Sequence, residues 1–400
     1  MKVLHVIPSV APRHGGPSEA IIRMVAALRE AGVDAEIATT NDDGPDDLDV
    51  ETDKLVQYRG VPVWFFPRLN SRVRFIREFK ISRAFSKWFE EAMHDYDVIH
   101  VHAVFSSICS RAMKRCRKKK QPYIVRTLGQ LTVWSMKQSA WRKKLYWRLG
   151  EQRNVRGAVW VHCTSDQEAE EFRQMDRETP VKVIPHGVPP GEEIAGARAQ
   201  LLKRHGWPED ARIWLFLSRW HQKKNLDLLI KALGTLKRDE VPVRLLLAGA
   251  GDEEISASVR AWLEEEELLK ATAETGQVQG TEKELLLRGS DVFALPSKDE
   301  NFGIALLEAI SRGLPALTTN KVDLFPVIES ENAGVVCEPN EESVTRAAQD
   351  INDRWEEFTA ASSVQSRAES ITAKFGWPSV AGKISDAYTE SCPKPGPTES

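Results

Sequence analysis

The segment Ser297–Ala309 reads Ser-Lys-Asp-Glu-Asn-Phe-Gly-Ile-Ala-Leu-Leu-Glu-Ala. It places two carboxylates, Glu300 and Glu308, around a predicted helix over Ile304–Ser311. A carboxylate beside a polyol accepts hydrogen bonds from neighbouring hydroxyls. Glu300 could hold a sugar and Glu308, two turns inside the helix, a ribose. Gly303 stands at the helix start, where amides without intrahelical partners can meet a phosphate. A lone helical Glu is commonly a solvated face. Glu308 instead sits beside Leu306, Leu307 and Ala309, which is unusual for a carboxylate without a partner. A second segment, Ser218–Asn225, carries Arg219 and Lys224 in a strand-to-helix loop. Two cations there could grip a diphosphate, or form an ordinary basic surface loop. A third, Pro12–Ser18, contains Gly15 and Gly16, which let backbone approach a ligand ahead of a helix. A tight turn with no ligand explains it equally well.

These segments sit in a strand–helix alternation. Strands are predicted at Lys2–Ile7, Val33–Thr39, Val98–His102, Tyr123–Arg126, Val159–Cys163 and Val181–Ile184. A helix is predicted over Ser18–Ala31 with Ser18 as its N-cap. Pro185-His186-Gly187 and Pro189-Pro190-Gly191 break the pattern. It restarts with strands at Trp214–Leu217, Val243–Ala248 (ending at Gly249), Val278–Gln279, Val292–Leu295 and Ala316–Thr318, and a helix over Asn225–Leu236. Such alternation implies parallel sheets covered on both faces, hence an α/β fold of two Rossmann-like units. The expected division is residues 1–188, 189–376, a last helix over 377–390 and a loose tail over 391–400. In open parallel sheets ligands bind at the carboxyl ends of strands, where the three segments fall.

Composition narrows the class. Four hundred residues, 42% apolar and 28% charged, suit two or three globular domains. The net charge of -3 excludes a wholly polyanion-binding chain. No apolar run is long enough for a transmembrane helix, and Met1–Pro12 reads as a first strand rather than a signal peptide. Five scattered cysteines with no Cys-x-x-Cys pair fit a reducing cytoplasm. Charge is unevenly spread: residues 1–190 carry 31 basic and 23 acidic groups, and residues 191–400 carry 24 and 35. From Arg68 to Arg148 there are 20 basic and five acidic residues, interleaved with Trp88, Trp134, Trp141 and Trp147. That mixture fits an anionic membrane surface, ahead of a solvated helical face and of nucleic acid.

Taken in order, the segments resemble glycosyltransferase family 4, retaining enzymes of the GT-B fold. The match comprises Gly15-Gly16, His100-Val101-His102 after Asp97-Val98-Ile99, Arg219 with Lys224, and Glu300-x7-Glu308 with Asn301-Phe302-Gly303 inside it and Gly313-Leu314-Pro315 after it. Arg126-Thr127-Leu128-Gly129-Gln130, Trp134 and His162-Cys163-Thr164-Ser165 are similar to members acting in exopolysaccharide or lipopolysaccharide assembly. The resemblance implies two Rossmann-like domains facing across a cleft, with a last helix from Trp377 crossing back onto the first. It implies that Gly15 and Gly16 approach the donor diphosphate and that Arg219 and Lys224 neutralise it as it leaves. Glu300, Asn301 and the backbone near Phe302, Gly303, Ile304 and Leu307 would hold the donor, Glu308 the ribose, His102 the reacting face of the sugar. Backbone at Gly249 and Val278 would line the nucleotide, Val278 meeting the base.

The expected function is a metal-independent, retaining transfer of a hexose-type sugar from a nucleotide-diphosphate sugar to a glycan or lipid-linked acceptor. The nucleotide sugar is a co-substrate; no cofactor, metal or nucleic acid is expected. The expected location is cytoplasmic, peripheral on the inner face of the membrane. The alternatives are a nucleotide-sugar epimerase of the same fold and a non-catalytic, membrane-associated nucleotide-sugar binder. A nicotinamide enzyme is disfavoured, because no Gly-x-Gly-x-x-Gly opens either half. Asp47-Leu48-Asp49 and Asp95-Tyr96-Asp97 read Asp-x-Asp, but the second precedes a strand, at the wrong end for a site. His100 and His102, alternating on one strand, are expected on opposite faces, with His100 in the core and His102 at the donor.

Overall fold

A computed structural model describes residues 1–69, 79–132, 135–136 and 140–391. Trp134, part of the 68–148 stretch and the tail beyond Ser391 lie outside the described residues. The chain divides into two compact units, residues 1–187 with 377–400, and residues 188–376.

The first unit holds an eight-stranded sheet. Its strands are β1 (Lys2–Val6), β2 (Asp34–Thr40), β3 (Leu55–Tyr58), β4 (Val61–Phe66), β5 (Val98–His102), β6 (Tyr123–Arg126), β7 (Val161–Cys163) and β8 (Val181–Val183). Their order is β8-β7-β6-β5-β1-β2-β4-β3. All pairs are parallel except β3 with β4. The central strands are short runs buried on both faces, as helix-covered parallel sheets require. The direction of strand addition reverses between β1 and β5, and in open parallel sheets ligands bind at the carboxyl ends beside such a reversal.

The second unit holds six parallel strands: β9 (Arg212–Leu217), β10 (Val243–Ala248), β11 (Thr272–Gly276), β12 (Val292–Leu295), β13 (Ala316–Thr319) and β14 (Gly334–Cys337). Their order is β11-β10-β9-β12-β13-β14, and the reversal lies between β9 and β12. Trp214, Phe216, Leu247 and Phe293 are fully buried at its centre. Each such side chain contributes about 1.5–3 kcal/mol on leaving water.

Several boundaries differ from the sequence expectation. The edge strand β11 is Thr272–Gly276, whereas Val278–Gln279 lies in the connection after it. Thr-Ala-Glu-Thr has no apolar run to betray it, because an edge strand is paired on one side only. The first helix, α1 (Gly16–Glu30), starts earlier than predicted, with Gly15 at its N-cap. The Ser18 hydroxyl is buried and donates to the Ser9 carbonyl instead of capping the helix. Strands β3, β4 and β14 escaped the pattern altogether.

The last helix, α7 (Trp377–Ser391), packs against α1 in the first unit. The Trp377 ring lies over Gly187, where a Cβ would come within 2.3 Å of it. The Tyr388 hydroxyl reaches His100 Nδ1 at 2.7 Å. The helices used below are α2 (Ser107–Lys119), α3 (Asp166–Met175), α4 (Leu226–Arg238), α5 (Gly280–Gly289) and α6 (Ile304–Ser311).

Candidate active site

In the second unit, Arg219 and Lys224 follow β9, and Glu300 follows β12, the two strands that flank the reversal. The loops are tied together by hydrogen bonds: backbone Lys298 N donates to Lys223 O at 2.9 Å, and the Asn225 side-chain Nδ2 to Pro296 O at 2.9 Å. Glu300 is pinned from the other side, its N–H donating to Lys321 O at 2.9 Å. This frame brings the Lys224 ammonium onto the Glu300 carboxylate. Lys224 is buried, Arg219 is exposed, and Lys223 faces Asp299 at 3.8 Å. Burial first, then the Lys223 and Arg219 cations, push the Lys224 ammonium down to about 7, against the pull of Asp299. The ends of β9 and β12 therefore gather three cations, Arg219, Lys223 and Lys224, around the carboxylates of Asp299 and Glu300.

Gly303, at positive φ, caps α6, so the first-turn amides of α6 open beside Glu300. Glu308 is buried, and its Oε1 accepts from Lys283 Nζ of α5 at 2.7 Å. Sequence reasoning saw that Glu308 needed a partner but did not find Lys283, which is one of several exposed-looking charges in Gly-Thr-Glu-Lys-Glu. The Leu307 and Phe302 side chains lie in the apolar core, so only their backbone can face a ligand; Asn301 and Ile304 are half-buried. Gly249 has a packing reason to be glycine: a Cβ there would stand 1.9 Å from Ser218 O. It presses the end of β10 against the loop that carries Arg219. Val278 is half-buried and packs against the core.

In the first unit, Gly15 and Gly16 follow β1 at the other reversal. Their loop is held by a charge cluster the sequence did not suggest. His14 Nε2 meets Asp42 Oδ2 at 2.7 Å, and the fully buried Asp42 carboxylate also pairs with Arg68 and Lys80. Arg68 further holds Asp47 and the Gly44 and Asp46 carbonyls. Asp47 is thus engaged by an arginine, and Asp97 accepts from the Lys2 amide at 2.7 Å. Asp95 and Asp97 precede β5, at its amino end.

The expectation that His100 and His102 point to opposite faces is wrong. Residues two apart on a strand share a face. The two rings lie 4.2 Å apart. They belong to a buried row that crosses four strands: His5 is in register with His100, and His102 with Arg126, which in turn pairs with His162. His5 Nδ1 and His102 Nε2 are 2.9 Å apart, and His162 Nε2 donates to Ile184 O at 2.8 Å. Burial pushes His5 and His162 down to about 3, helped by Arg126, and holds His100, His102 and His186 well below the usual range. All five are neutral at pH 7. His102, at the end of β5, is itself 1% exposed. Ligand atoms of His5, His100 and His102 lie within 4.8 Å of one another. Arg126 lies in register beside this cluster, and among the described residues His5 Nε2 and His102 Nδ1 have no hydrogen-bond partner.

Comparison with known proteins places these features. Residues 197–363 match the family model described as "Glycosyl transferases group 1", and residues 15–187 match "Glycosyl transferase 4-like domain". The chain is 23% identical to a D-inositol 3-phosphate glycosyltransferase of Paenarthrobacter aurescens, over 97% of each chain. Among solved structures it is similar to a sucrose-phosphate synthase from Thermosynechococcus elongatus, with a TM-score of 0.76 at 20% identity, covering 97% of this chain and 98% of that one. It is also similar to Anabaena HepE in complex with UDP and glucose, with a TM-score of 0.75 at 18% identity, covering 98% and 100%. No helix among the described residues is long and apolar enough to cross a membrane.

Proposed function

The chain belongs to the family-4-like glycosyltransferases of the GT-B fold, and from that premise we propose that it moves a hexose-type sugar, with retention, from a nucleoside-diphosphate sugar to a glycan or lipid-linked acceptor. The observation that carries this reading is the cation cluster at the β9–β12 reversal. Lys224 stands on Glu300 there, Arg219 is beside it, and α6 begins at the same place. In the transition state the leaving diphosphate gains negative charge. Donors already aimed there stabilise it more than the ground state. Arg219, Lys224 and the α6 amides supply the opposing positive charge and N–H donors, so the proposed transfer needs no divalent metal. HepE, whose structure holds UDP and glucose, supports a nucleotide sugar as the donor class.

Glu308 would hold the ribose hydroxyls, with Lys283 orienting the carboxylate. Glu300 would hold the sugar and is engaged by Lys224, which suits a binder better than a nucleophile. The leaving phosphate then takes the acceptor proton. The membrane part of the proposal rests on Trp141, Leu145 and Leu149. They are spaced four apart and are 68%, 50% and 76% exposed, beside exposed Lys144 and Arg148. Such a stripe lies at the headgroup boundary of an anionic bilayer. Retention is tested by proton NMR on the matched α-linked donor during slow hydrolysis. The α-sugar should form first; first appearance of the β-sugar would contradict the reading.

A further inference from the structure

Arg126 ends β6, at the carboxyl edge of the first sheet, and is 1% exposed. A buried guanidinium normally meets a carboxylate, because burying an unpaired charge is costly. Among the described residues none pairs with Arg126. Its Nη2 meets the neutral ring of His186 at 2.9 Å, and its Nε has no hydrogen-bond partner. The carboxylate whose field reaches it, Glu168 of α3, is already saturated. Glu168 Oε1 accepts from Thr127 Oγ1 at 2.6 Å and Gly129 N at 2.9 Å. Its Oε2 accepts from Thr164 N at 2.7 Å and Thr164 Oγ1 at 2.8 Å. Its cross-strand partners in register are the neutral His102 and the neutral His162, and the Tyr388 phenol also lies within its field. Glu168 balances the Arg126 charge through space only, and among the described residues the buried Arg126 Nε–H, at a strand's carboxyl end, has no acceptor.

The backbone above it is also held in an uncommon form. Ala103 and Phe105 after β5, and Leu128 after β6, all have positive φ, at 105°, 59° and 51°. Non-glycine residues in that region are strained and gather at ligand sites. Ala103 N donates to Arg126 O at 2.9 Å, which couples the two strained loops to the arginine.

We propose that Arg126 is an oxyanion site that takes a phosphate group of the acceptor. A guanidinium presents two parallel N–H donors that match a phosphate's paired oxygens, and a dry setting strengthens the contact. The word acceptor rests on the transferase reading; the anion site itself stands on the first unit alone.

The test compares the full-length protein with Arg126→Met by thermal shift, in inorganic phosphate against chloride of matched ionic strength, and separately with the nucleotide sugars. Phosphate should raise the melting temperature of the wild type. Arg126→Met should weaken that response at least about tenfold while keeping the nucleotide response. No phosphate response in the wild type, or an unchanged one in Arg126→Met, overturns the site. Loss of both responses in a folded Arg126→Met makes the anion the donor's and overturns the acceptor assignment. An Arg126-dependent phosphate response with no nucleotide response sinks the transferase reading and leaves the anion site standing. If Arg126→Met does not fold, Arg126→Lys is read in its place. It keeps the charge and loses the fork, so phosphate should again bind more weakly, and unchanged binding would overturn the proposal.

Discussion

Lys224 and Glu300 are 76 residues apart in sequence, yet their side chains meet at the ends of two neighbouring strands. The pair exists because β9 and β12 flank the point where strand order reverses. It is the local reason that a cation and a carboxylate meet at the carboxyl ends of these strands. Replacing Lys224 by Ala removes the diphosphate's buried partner and leaves Glu300 without its own. Turnover should fall at least tenfold, about 1.4 kcal/mol of transition-state stabilisation. Glu308→Ala should produce a loss of similar size by freeing the ribose end and Lys283. Initial rates of nucleoside-diphosphate release decide this, and near-normal rates in either variant contradict the assigned roles.

The lowered Lys224 ammonium gives donor binding a pH dependence. In its proposed role the charged form grips the diphosphate, and in the free protein that form is lost as pH rises past about 7. Nucleotide affinity should therefore weaken from neutral towards alkaline pH. Lys224→Arg, charged throughout, should flatten the profile. Calorimetric titration across this range checks both. A wild-type affinity that does not change with pH would place the diphosphate elsewhere.

The histidine row makes the first unit sensitive to acid. His5, His100, His102, His162 and His186 are buried, with pKa values held below the ordinary 6.5. A depressed folded pKa means that the unfolded chain binds protons the folded one refuses. The stability these groups contribute is complete above about 6.5 and is lost progressively as pH falls below it, by up to roughly 1.4 kcal/mol per histidine per pH unit. Hydrogen exchange of the two units as pH is lowered should show residues 1–187 opening first. Equal loss in both units would mean that the row is hydrated.

Much of this was legible in the sequence, and the misses have physical reasons. Buried parallel strands such as Val98–His102 and Val243–Ala248 announce themselves as apolar runs between loops, and their ends coincide with the structure. Strand β11 does not, because Thr272–Gly276 is a polar edge. The Glu300-x7-Glu308 segment and the Arg219–Lys224 loop could be read as loops at strand ends, since each follows a strong strand signal. The partners Lys283, Asp42 and Arg68 could not, because pairing across tens of residues depends on strand order. The histidine row combined both: His100 and His102 stood out by spacing, while His5, His162 and Arg126 join them only through sheet register.

Gly249 is a packing requirement that supports the Arg219 loop. A methyl group there would collide with the Ser218 carbonyl, so Gly249→Ala should destabilise the second unit by about 1–3 kcal/mol. Chemical denaturation reads this directly, and a wild-type midpoint would show that the two strand ends are not in contact.

The exposed stripe of Trp141, Leu145 and Leu149 should carry the protein onto anionic vesicles. Substituting all three with Ser should abolish co-sedimentation at low salt while leaving the melting temperature near that of the wild type. Full retention of binding would assign the surface to solvent alone.

The central claim is that the crevice at β9 and β12 binds a nucleoside-diphosphate sugar through its own cations. A thermal-shift panel of UDP, GDP, ADP and their common sugar conjugates, each with and without EDTA, tests it most directly. A ligand at a hundred times its dissociation constant adds roughly 2.7 kcal/mol of stability. One nucleotide series should raise the melting temperature regardless of EDTA, and Lys224→Ala should remove the rise. A rise that needs metal, or none with any nucleotide, would contradict the account.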